Sequence, residues 1–194
     1  MQIFYHQHVL ILQHPQEPDK DLGSALIAHL SLPNSTLKIG LSWPNLKKAL
    51  GREAMPSRWA VLYLGSGTKT EKPRPGLQLV SKAGVPLPDQ NQIKADLEGI
   101  IVLDGTWSQA KTIWWRNAWL LKLRRAIFTP SHPSLYRELR REPRGECLST
   151  IEAIAQSLEA LGESPEIRNE LSELFKKLLE RQRARLKTKQ DNRR

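Results

Sequence analysis

Asp104 comes directly after an apolar, β-branched run in the segment GIIVLDGTWSQAK, residues 99–111. Gly105 is suited to a turn, and Thr106 is a suitable N-cap for a helix that starts at the next residue. An aspartate in this position can accept a proton, or bind a hydroxyl or an amine of a ligand. It can equally cap the helix itself, and the spacing alone leaves both interpretations open.

Four tryptophans lie in the helical pattern that follows, residues 106–123. Trp107, Ala110 and Trp114 have the spacing i, i+3 and i+7, so we expect this stripe in the core. Trp115 and Trp119 lie four residues apart. The basic residues near them are Lys111, Arg116 and Lys122. The pair could stack on bases, but we favour a second buried flank of the helix.

A basic cluster extends from residue 116 to residue 144. Its members are Arg116, Lys122, Arg124, Arg125, Arg137, Arg140, Arg141 and Arg144, against Glu138 and Glu142. Tyr136 and His132 are interleaved with these arginines, as on a phosphate-binding surface with stacking groups. The excess of arginine over lysine favours phosphate, because the guanidinium fork binds oxyanions with two prongs. A solvated basic loop would have a similar composition.

Two further polar groups follow other apolar segments. Ser149 and Thr150, with Glu152, form a capping pattern, and the free amides of such a helix start suit an anion. An ordinary capped helix would look the same. His14 and Glu17 follow the first apolar run, and a lone His–Glu pair is more often structural. The sequence has no GxGxxG, P-loop, HExxH or GxSxG motif.

The elements that must position these groups are short apolar runs alternating with helical patterns. We predict strands at residues 8–13, 36–43, 58–65, 99–105 and 125–130. We predict helices at residues 19–32, 45–50, 106–123 and 147–163. Such alternation predicts an α/β domain with a mostly parallel sheet and helices on both faces. Ligands of such sheets bind beyond the carboxyl ends of the strands, which places Leu64–Gly65, Asp104–Gly105 and Thr129–Pro130 on one rim.

Two segments depart from this alternation. Residues 65–89 are rich in Gly, Pro and Lys and indicate a long loop, with a short strand at GLQLVS. After Gly162, apolar residues at helical spacing end near Leu179, and basic residues dominate from Arg181 onward. This pattern predicts a helix that docks at its beginning and frays into a basic tail. We therefore divide the chain into a domain at residues 1–165 and a C-terminal helix and tail at residues 166–194.

The composition limits the classes of function. The chain has 194 residues, a formal charge of +10 and a single cysteine, Cys147. One cysteine excludes an internal disulfide and a multi-cysteine zinc site. No signal peptide or membrane-length apolar run is present, so we expect a cytoplasmic protein without a membrane partner. The basic charge favours a polyanionic partner such as nucleic acid.

Several of these motifs together resemble the DTW-domain family. VLDGTWSQAK is similar to the family signature, and HPQE, AVLYL, PSLY and EPRGECLSTIEAIA occur in the family order over residues 9–162. The resemblance implies a SPOUT-like, knotted α/β fold. It implies transfer of the 3-amino-3-carboxypropyl group of S-adenosylmethionine to N3 of a tRNA uridine, with methylthioadenosine released. The cysteine-rich metal-binding segment of many members has no counterpart in these residues, so we expect no metal.

The resemblance also assigns site residues. Uracil N3 is a poor nucleophile while protonated, so a nearby carboxylate is useful, and we assign Asp104 as catalytic. The residues assigned to cofactor binding are Leu62, Tyr63, Gly65, Thr106, Trp107, Leu148, Ser149 and Thr150. Those assigned to RNA binding are Lys111, Arg116, Arg124, Arg125, Tyr136, Arg137, Arg140, Arg141 and Arg144. Either Arg137 or Arg140 corresponds to the arginine of the family pattern.

Other functions compatible with the sequence are the same transfer on ribosomal RNA, a SPOUT-type RNA methyltransferase, and a non-catalytic RNA-binding protein. The last would explain the charge but not the ordered motifs at the rim. SPOUT relatives often dimerise, whereas members of this family can act as monomers, so both a monomer and a homodimer are open.

Overall fold

A computed structural model describes residues 6–16, 23–62, 76–129 and 149–191. Six strands form one sheet in the order β2-β1-β5-β3-β6-β4. The strands are β1 (His8–Gln13), β2 (Ser35–Ile39), β3 (Trp59–Leu62), β4 (Gly76–Val80), β5 (Gly99–Asp104) and β6 (Arg124–Thr129). All neighbours pair in parallel except β4, which pairs antiparallel with β6 at the edge. The predicted mostly parallel α/β sheet is confirmed.

Helices cover both faces of this sheet. They are α1 (Ser24–Ser31), α2 (Leu46–Leu50), α3 (Gln90–Ala95), α4 (Trp107–Arg116), α5 (Thr150–Ala160) and α6 (Pro165–Asp191). One hydrophobic cluster joins the sheet to α1, α5 and α6, and a second joins it to α2 and α4. Every residue of β1 and β5 is buried, because both strands lie centrally between the two helical layers.

The predicted long helix at residues 106–123 is interrupted at Asn117, and a 3₁₀ turn follows at Ala118–Lys122. Asn117 is 1% exposed. Its side-chain amide donates to the carbonyls of Ile113 and Leu41, and its oxygen accepts from the backbone of Trp43 at 2.8 Å. These bonds replace helical ones and fix the end of α4 to the segment after β2.

The C-terminal helix is confirmed, and it continues to Asp191 without the fraying expected after Arg181. Ile167, Leu171, Phe175 and Leu179 are buried in the cluster with α1 and α5. Beyond them, residues 180–191 consist mostly of Arg, Lys, Gln and Glu and contain no Gly or Pro, so their helix propensity is high.

The described helices include none with the length and apolar character needed to span a membrane. The short strand foreseen at GLQLVS is confirmed as β4, while the helix α3 was not foreseen. A knot depends on the path of the whole chain, including ranges outside those described, and stays a prediction.

Candidate active site

Asp104 is the last residue of β5, at the carboxyl edge of the sheet, and it is 6% exposed. Gln13, the last residue of β1, lies directly opposite it in the parallel register. The Nε2 atom of Gln13 donates to Oδ2 of Asp104 at 2.7 Å. The hydroxyl of Thr150 donates to Oδ1. Three elements of the fold therefore orient one buried carboxylate.

The cap of α4 is Thr106, which decides between the two interpretations of Asp104. The Thr106 hydroxyl accepts from the backbone of Gln109 at 3.4 Å, and the Gln109 side chain accepts from the backbone of Thr106 at 2.7 Å. This capping box satisfies the start of the helix. Asp104 is therefore not the helix cap, and the capping alternative is wrong.

Gly105 makes the sharp turn between Asp104 and this cap. Its φ is +149°, a conformation that side chains with a Cβ rarely adopt. A Cβ here would lie 2.9 Å from Cβ of Gln109 and 3.4 Å from Cβ of His14. The glycine lets the start of α4 approach both the capping box and the end of β1.

The start of α5 reaches the same edge. Ser149 caps this helix in a second capping box: its hydroxyl accepts from the backbone of Glu152 at 3.4 Å, and its backbone amide donates to Oε2 of Glu152 at 3.0 Å. Thr150, the first helical residue, makes the contact with Asp104. The predicted cap at Ser149 is confirmed, and the positive ends of α4 and α5 both lie beside Asp104.

Gln13 is the functional candidate that sequence reasoning missed. The sequence could have indicated it, because Gln13 is the polar last residue of an otherwise apolar strand and directly precedes His14 of the HPQE motif. His14 is buried, its Nδ1 accepts from the backbone of Gln16 at 3.3 Å, and its own amide donates to the carbonyl of Asp104. His14 therefore holds the strand end; its partner in the sequence prediction, Glu17, lies outside the described residues.

Five of the eight residues assigned to cofactor binding are described. Leu62 ends β3 and is partly buried, and the other four lie at the starts of α4 and α5. Those four are Thr106, Trp107, Ser149 and Thr150. Tyr63, Gly65 and Leu148 lie outside the described residues, as do Leu64 and Pro130 of the predicted rim.

The tryptophans are arranged differently from the expectation. Ala110 and Trp114 are buried as predicted, but Trp107 is 47% exposed. Trp119 packs against the core from the 3₁₀ turn, and its Nε1 donates to the carbonyl of Trp43. Trp115 is 75% exposed. The expected buried stripe and buried flank are wrong for Trp107 and Trp115, because no element of the described chain covers that side of α4.

The residues assigned to RNA binding fall into two described groups. Lys111 and Arg116 are exposed on α4. Arg124 and Arg125 begin β6, away from the carboxyl edge, and their side chains donate to the carbonyls of Ser57 and Lys82. The fold does not bring this second group to Asp104. Tyr136, Arg137, Arg140, Arg141 and Arg144 lie outside the described residues.

The opposite, amino edge of the sheet holds a pocket of about 440 Å³ lined by His8, Arg52, Arg58 and Glu98, among others. Burial lowers the pKa of His8, and the nearby charges of Arg52 and His29 act in the same direction, whereas the hydrogen bond from His8 Nδ1 to Asn34 Oδ1 raises it. Within the described ranges, no group of three or more His, Cys, Asp or Glu side chains could hold a metal ion.

Comparisons with known proteins agree on one family. The model of the DTW domain matches residues 2–183. A protein of Drosophila melanogaster named tRNA-uridine aminocarboxypropyltransferase 2 is 30% identical over 165 residues, covering 84% of this chain and 59% of that protein. Proteins of the same name from Macaca fascicularis and Mus musculus are each 28% identical over 158 residues, covering 79% of this chain and 47% of theirs. This chain thus spans about half the length of these relatives. No solved structure matches it.

Proposed function

This chain belongs to the DTW-domain family, and from that membership we propose that it modifies tRNA. The proposed reaction moves the 3-amino-3-carboxypropyl group of S-adenosylmethionine to N3 of a uridine. The names of its relatives, tRNA-uridine aminocarboxypropyltransferase 2, support this choice of reaction and substrate. The formal charge of +10 is suited to an RNA substrate.

In the proposed step, N3 of the uracil forms a bond to the γ-carbon of the methionine moiety. The bond between that carbon and sulfur breaks, and its electron pair leaves with methylthioadenosine. The N3 proton must go to a base. We assign that role to Asp104, because a general base must lie within hydrogen-bond reach of the proton it removes and a carboxylate can accept that proton.

The orientation of Asp104 is the observation that carries this proposal. The carboxylate is 6% exposed, lies where open α/β sheets bind ligands, and is held by Gln13 and Thr150. It is not used as a helix cap, so its hydrogen bonds to the ends of two other elements serve to orient it. Pre-orientation of this kind lowers the barrier of a transfer step.

The described residues around Asp104 fit S-adenosylmethionine. The positive ends of α4 and α5 suit the carboxylate of the methionine moiety. The exposed indole of Trp107 has Lys111 Nζ 5.9 Å from its centroid, so it already attracts a cation and suits a sulfonium in the same way. We propose that Leu62, Thr106, Trp107, Ser149 and Thr150 hold the co-substrate, together with Tyr63, Gly65 and Leu148. The bound molecule supplies the activated carbon.

The test compares Asp104→Asn and Asp104→Ala with the wild type. We expect the rate of transfer to fall by a factor of about 10²–10⁴, as for loss of a general base, while binding of S-adenosylmethionine and of tRNA persists. Asp96→Asn, which changes an exposed aspartate at the end of α3, is the matched control and should transfer at the wild-type rate. Undiminished transfer by both Asp104 variants, with binding intact, would make the catalytic assignment wrong.

A further inference from the structure

The two helical layers of the sheet differ in charge: the layer of α2 and α4 is basic, whereas α5 and the first part of α6 are acidic and α6 becomes basic only from Arg181 onward. The layer of α2 and α4, residues 40–58 and 105–123, has the basic residues Lys47, Lys48, Arg52, Arg58, Lys111, Arg116 and Lys122, against Glu53 alone. The layer of α5 and the first half of α6, residues 149–180, has the acidic residues Glu152, Glu159, Glu163, Glu166, Glu170, Glu173 and Glu180, against Arg168, Lys176 and Lys177. A polyanion would be attracted to the first layer and repelled by the acidic part of the second.

Two large aromatic side chains are exposed on the basic layer. Trp115 is 75% exposed and Trp107 is 47% exposed. Lys111 lies between them at helical spacing, so the three share one side of α4. Arg116 adds a second exposed cation beside Trp115. With Trp107 assigned to the co-substrate, Trp115 with Lys111 and Arg116 resembles the stacking platforms that bind single-stranded nucleic acid.

This side of α4 leads directly to Asp104. Trp107 is the first residue of the helix and lies three residues after Asp104, whereas Trp115 is eight residues further. At a rise of 1.5 Å per residue this is about 12 Å, roughly the length of three to four stacked nucleotides. A strand lying along α4 would thus pass Trp115 and Lys111 before it reached the carboxylate.

The end of α4 is held in place, which a stacking platform requires. Besides the contacts of Asn117 to the segment after β2, the Ser42 hydroxyl donates to the carbonyl of Arg116 at 3.2 Å. Trp115 therefore projects from a fixed helix end, so RNA binding needs to order only its side chain and not the backbone.

We propose that the exposed side of α4 binds the unpaired RNA strand that flanks the target uridine. Trp115 stacks on a base, and Lys111 and Arg116 contact phosphates. The proposal rests on the proposed function for the identity of the substrate. It adds where the tRNA binds, on the exposed side of α4, and that the bound part of the tRNA is single-stranded. RNA is favoured over a second protein chain because residues 105–123, which include all of α4, contain three basic residues and no Asp or Glu. Unpaired RNA bases are commonly recognised by stacking on aromatic side chains.

The experiment measures the affinity of wild type, Trp115→Ala and Trp115→Phe for a fluorescently labelled, unmodified tRNA transcript by fluorescence anisotropy. We expect Trp115→Ala to weaken binding roughly tenfold, the size of one lost base–aromatic stack, and Trp115→Phe to retain most of the affinity. The KM for tRNA should rise by the same factor while kcat and the affinity for S-adenosylmethionine stay unchanged. Because Trp115 is exposed, the thermal midpoint should not change.

Lys111→Gln tests the electrostatic part of the surface. The slope of log affinity against log salt should become shallower by about 0.7, as for one lost phosphate contact to a single strand. Lys176→Gln removes the same charge from the acidic layer, where Lys176 pairs with Glu173, and should leave the slope unchanged.

Failure of this proposal is distinguishable from failure of the proposed function. If the wild type transfers the group but Trp115→Ala keeps wild-type affinity and KM, the RNA surface is wrong and the function stands. If Trp115→Ala weakens binding but the wild type transfers nothing to tRNA, the surface stands and the function is wrong. If Trp115→Ala changes only the molar mass in light scattering, the surface joins two copies of this chain and the proposal is overturned.

Discussion

Replacing Gln13 by Leu tests whether the carboxylate of Asp104 is held by its neighbour on β1. Both side chains are buried, at 4% and 6% exposure, and the bond between them is 2.7 Å long. The leucine preserves an apolar fit in the strand but leaves Oδ2 of Asp104 without this donor. Gln13 has no predicted contact with the substrate, so its effect on transfer must act through the position of Asp104.

The magnitude follows from the charge and burial of the pair. A hydrogen bond to a charged group contributes about 1.5–3 kcal/mol to stability, so we expect Gln13→Leu to lower the unfolding free energy by about 2 kcal/mol. For a chain of this size that corresponds to a fall of about 4–8 °C in Tm. In transfer assays kcat should fall by about tenfold, with KM for tRNA little changed, because only the orientation of Asp104 is altered.

A double-mutant cycle over Gln13→Leu and Asp104→Ala measures the interaction between the two side chains, because each single substitution removes the hydrogen bond. Urea unfolding of the four proteins should give a coupling energy of about 1.5–3 kcal/mol, within the range for contacting residues. The control is Gln92→Leu, which removes the same kind of bond, from Gln92 Nε2 to Asp96 Oδ1 at 3.2 Å, at an exposed site on α3. This control should stay within about 0.5 kcal/mol of the wild type.

Two outcomes would refute the reasoning. A coupling energy near zero would mean that Gln13 and Asp104 do not interact in solution. A kcat equal to that of the wild type, in a Gln13→Leu variant shown to be destabilised, would mean that the orientation of Asp104 does not limit transfer.

Three other perturbations test the turn after Asp104, the opposite edge of the sheet and the packing of α6. Gly105→Ala should lower the unfolding free energy by about 2–3 kcal/mol, because the added Cβ strains the backbone and also lies too close to Gln109. Gly162→Ala strains the backbone without such a contact and should cost about 1 kcal/mol. Equal losses for the two variants in urea unfolding would contradict the close contact at Gly105. The lowered pKa of His8 means that the unfolded chain binds more protons just below pH 6.5, so stability should fall as the pH drops through that window, and His8→Asn should flatten this part of the curve. Phe175→Ala, at a fully buried position, should lower the unfolding free energy by about 3–5 kcal/mol in one cooperative transition; a separate transition for α6 would support an independent C-terminal segment.

The central strands could be predicted from the sequence nearly to the residue. β1 and β5 are continuous apolar runs ended by polar or glycine residues, and burial on both faces leaves little else for such runs to form. α3 escaped prediction because Gln90–Ala95 has only one large apolar side chain, Ile93, and no stripe. The antiparallel pairing of β4 at the sheet edge depends on which strand lies beside it, and the local sequence pattern contains no information about that neighbour.

The position of Asp104 at the sheet edge could be predicted from the sequence, but its contact with Gln13 and the exposure of Trp115 could not. Asp104 could be placed at the rim because the strand and turn pattern fixes which residue ends β5. Its bond to Gln13 requires knowing that β1 lies next to β5, which is a property of the sheet order. Trp115 was expected to be buried because helical spacing shows which residues share a side, but not which side has a neighbour.

The measurement that tests the central claim most directly uses S-adenosylmethionine labelled at two places. Unmodified tRNA is incubated with the wild-type protein and co-substrate that carries the label either in the methyl group or in the carboxyl carbon, and the nucleosides are then analysed by mass spectrometry. The account predicts that the carboxyl label appears in a modified uridine and the methyl label in methylthioadenosine. Methyl label in the RNA would identify a methyltransferase, and RNA without either label would contradict the proposed transfer.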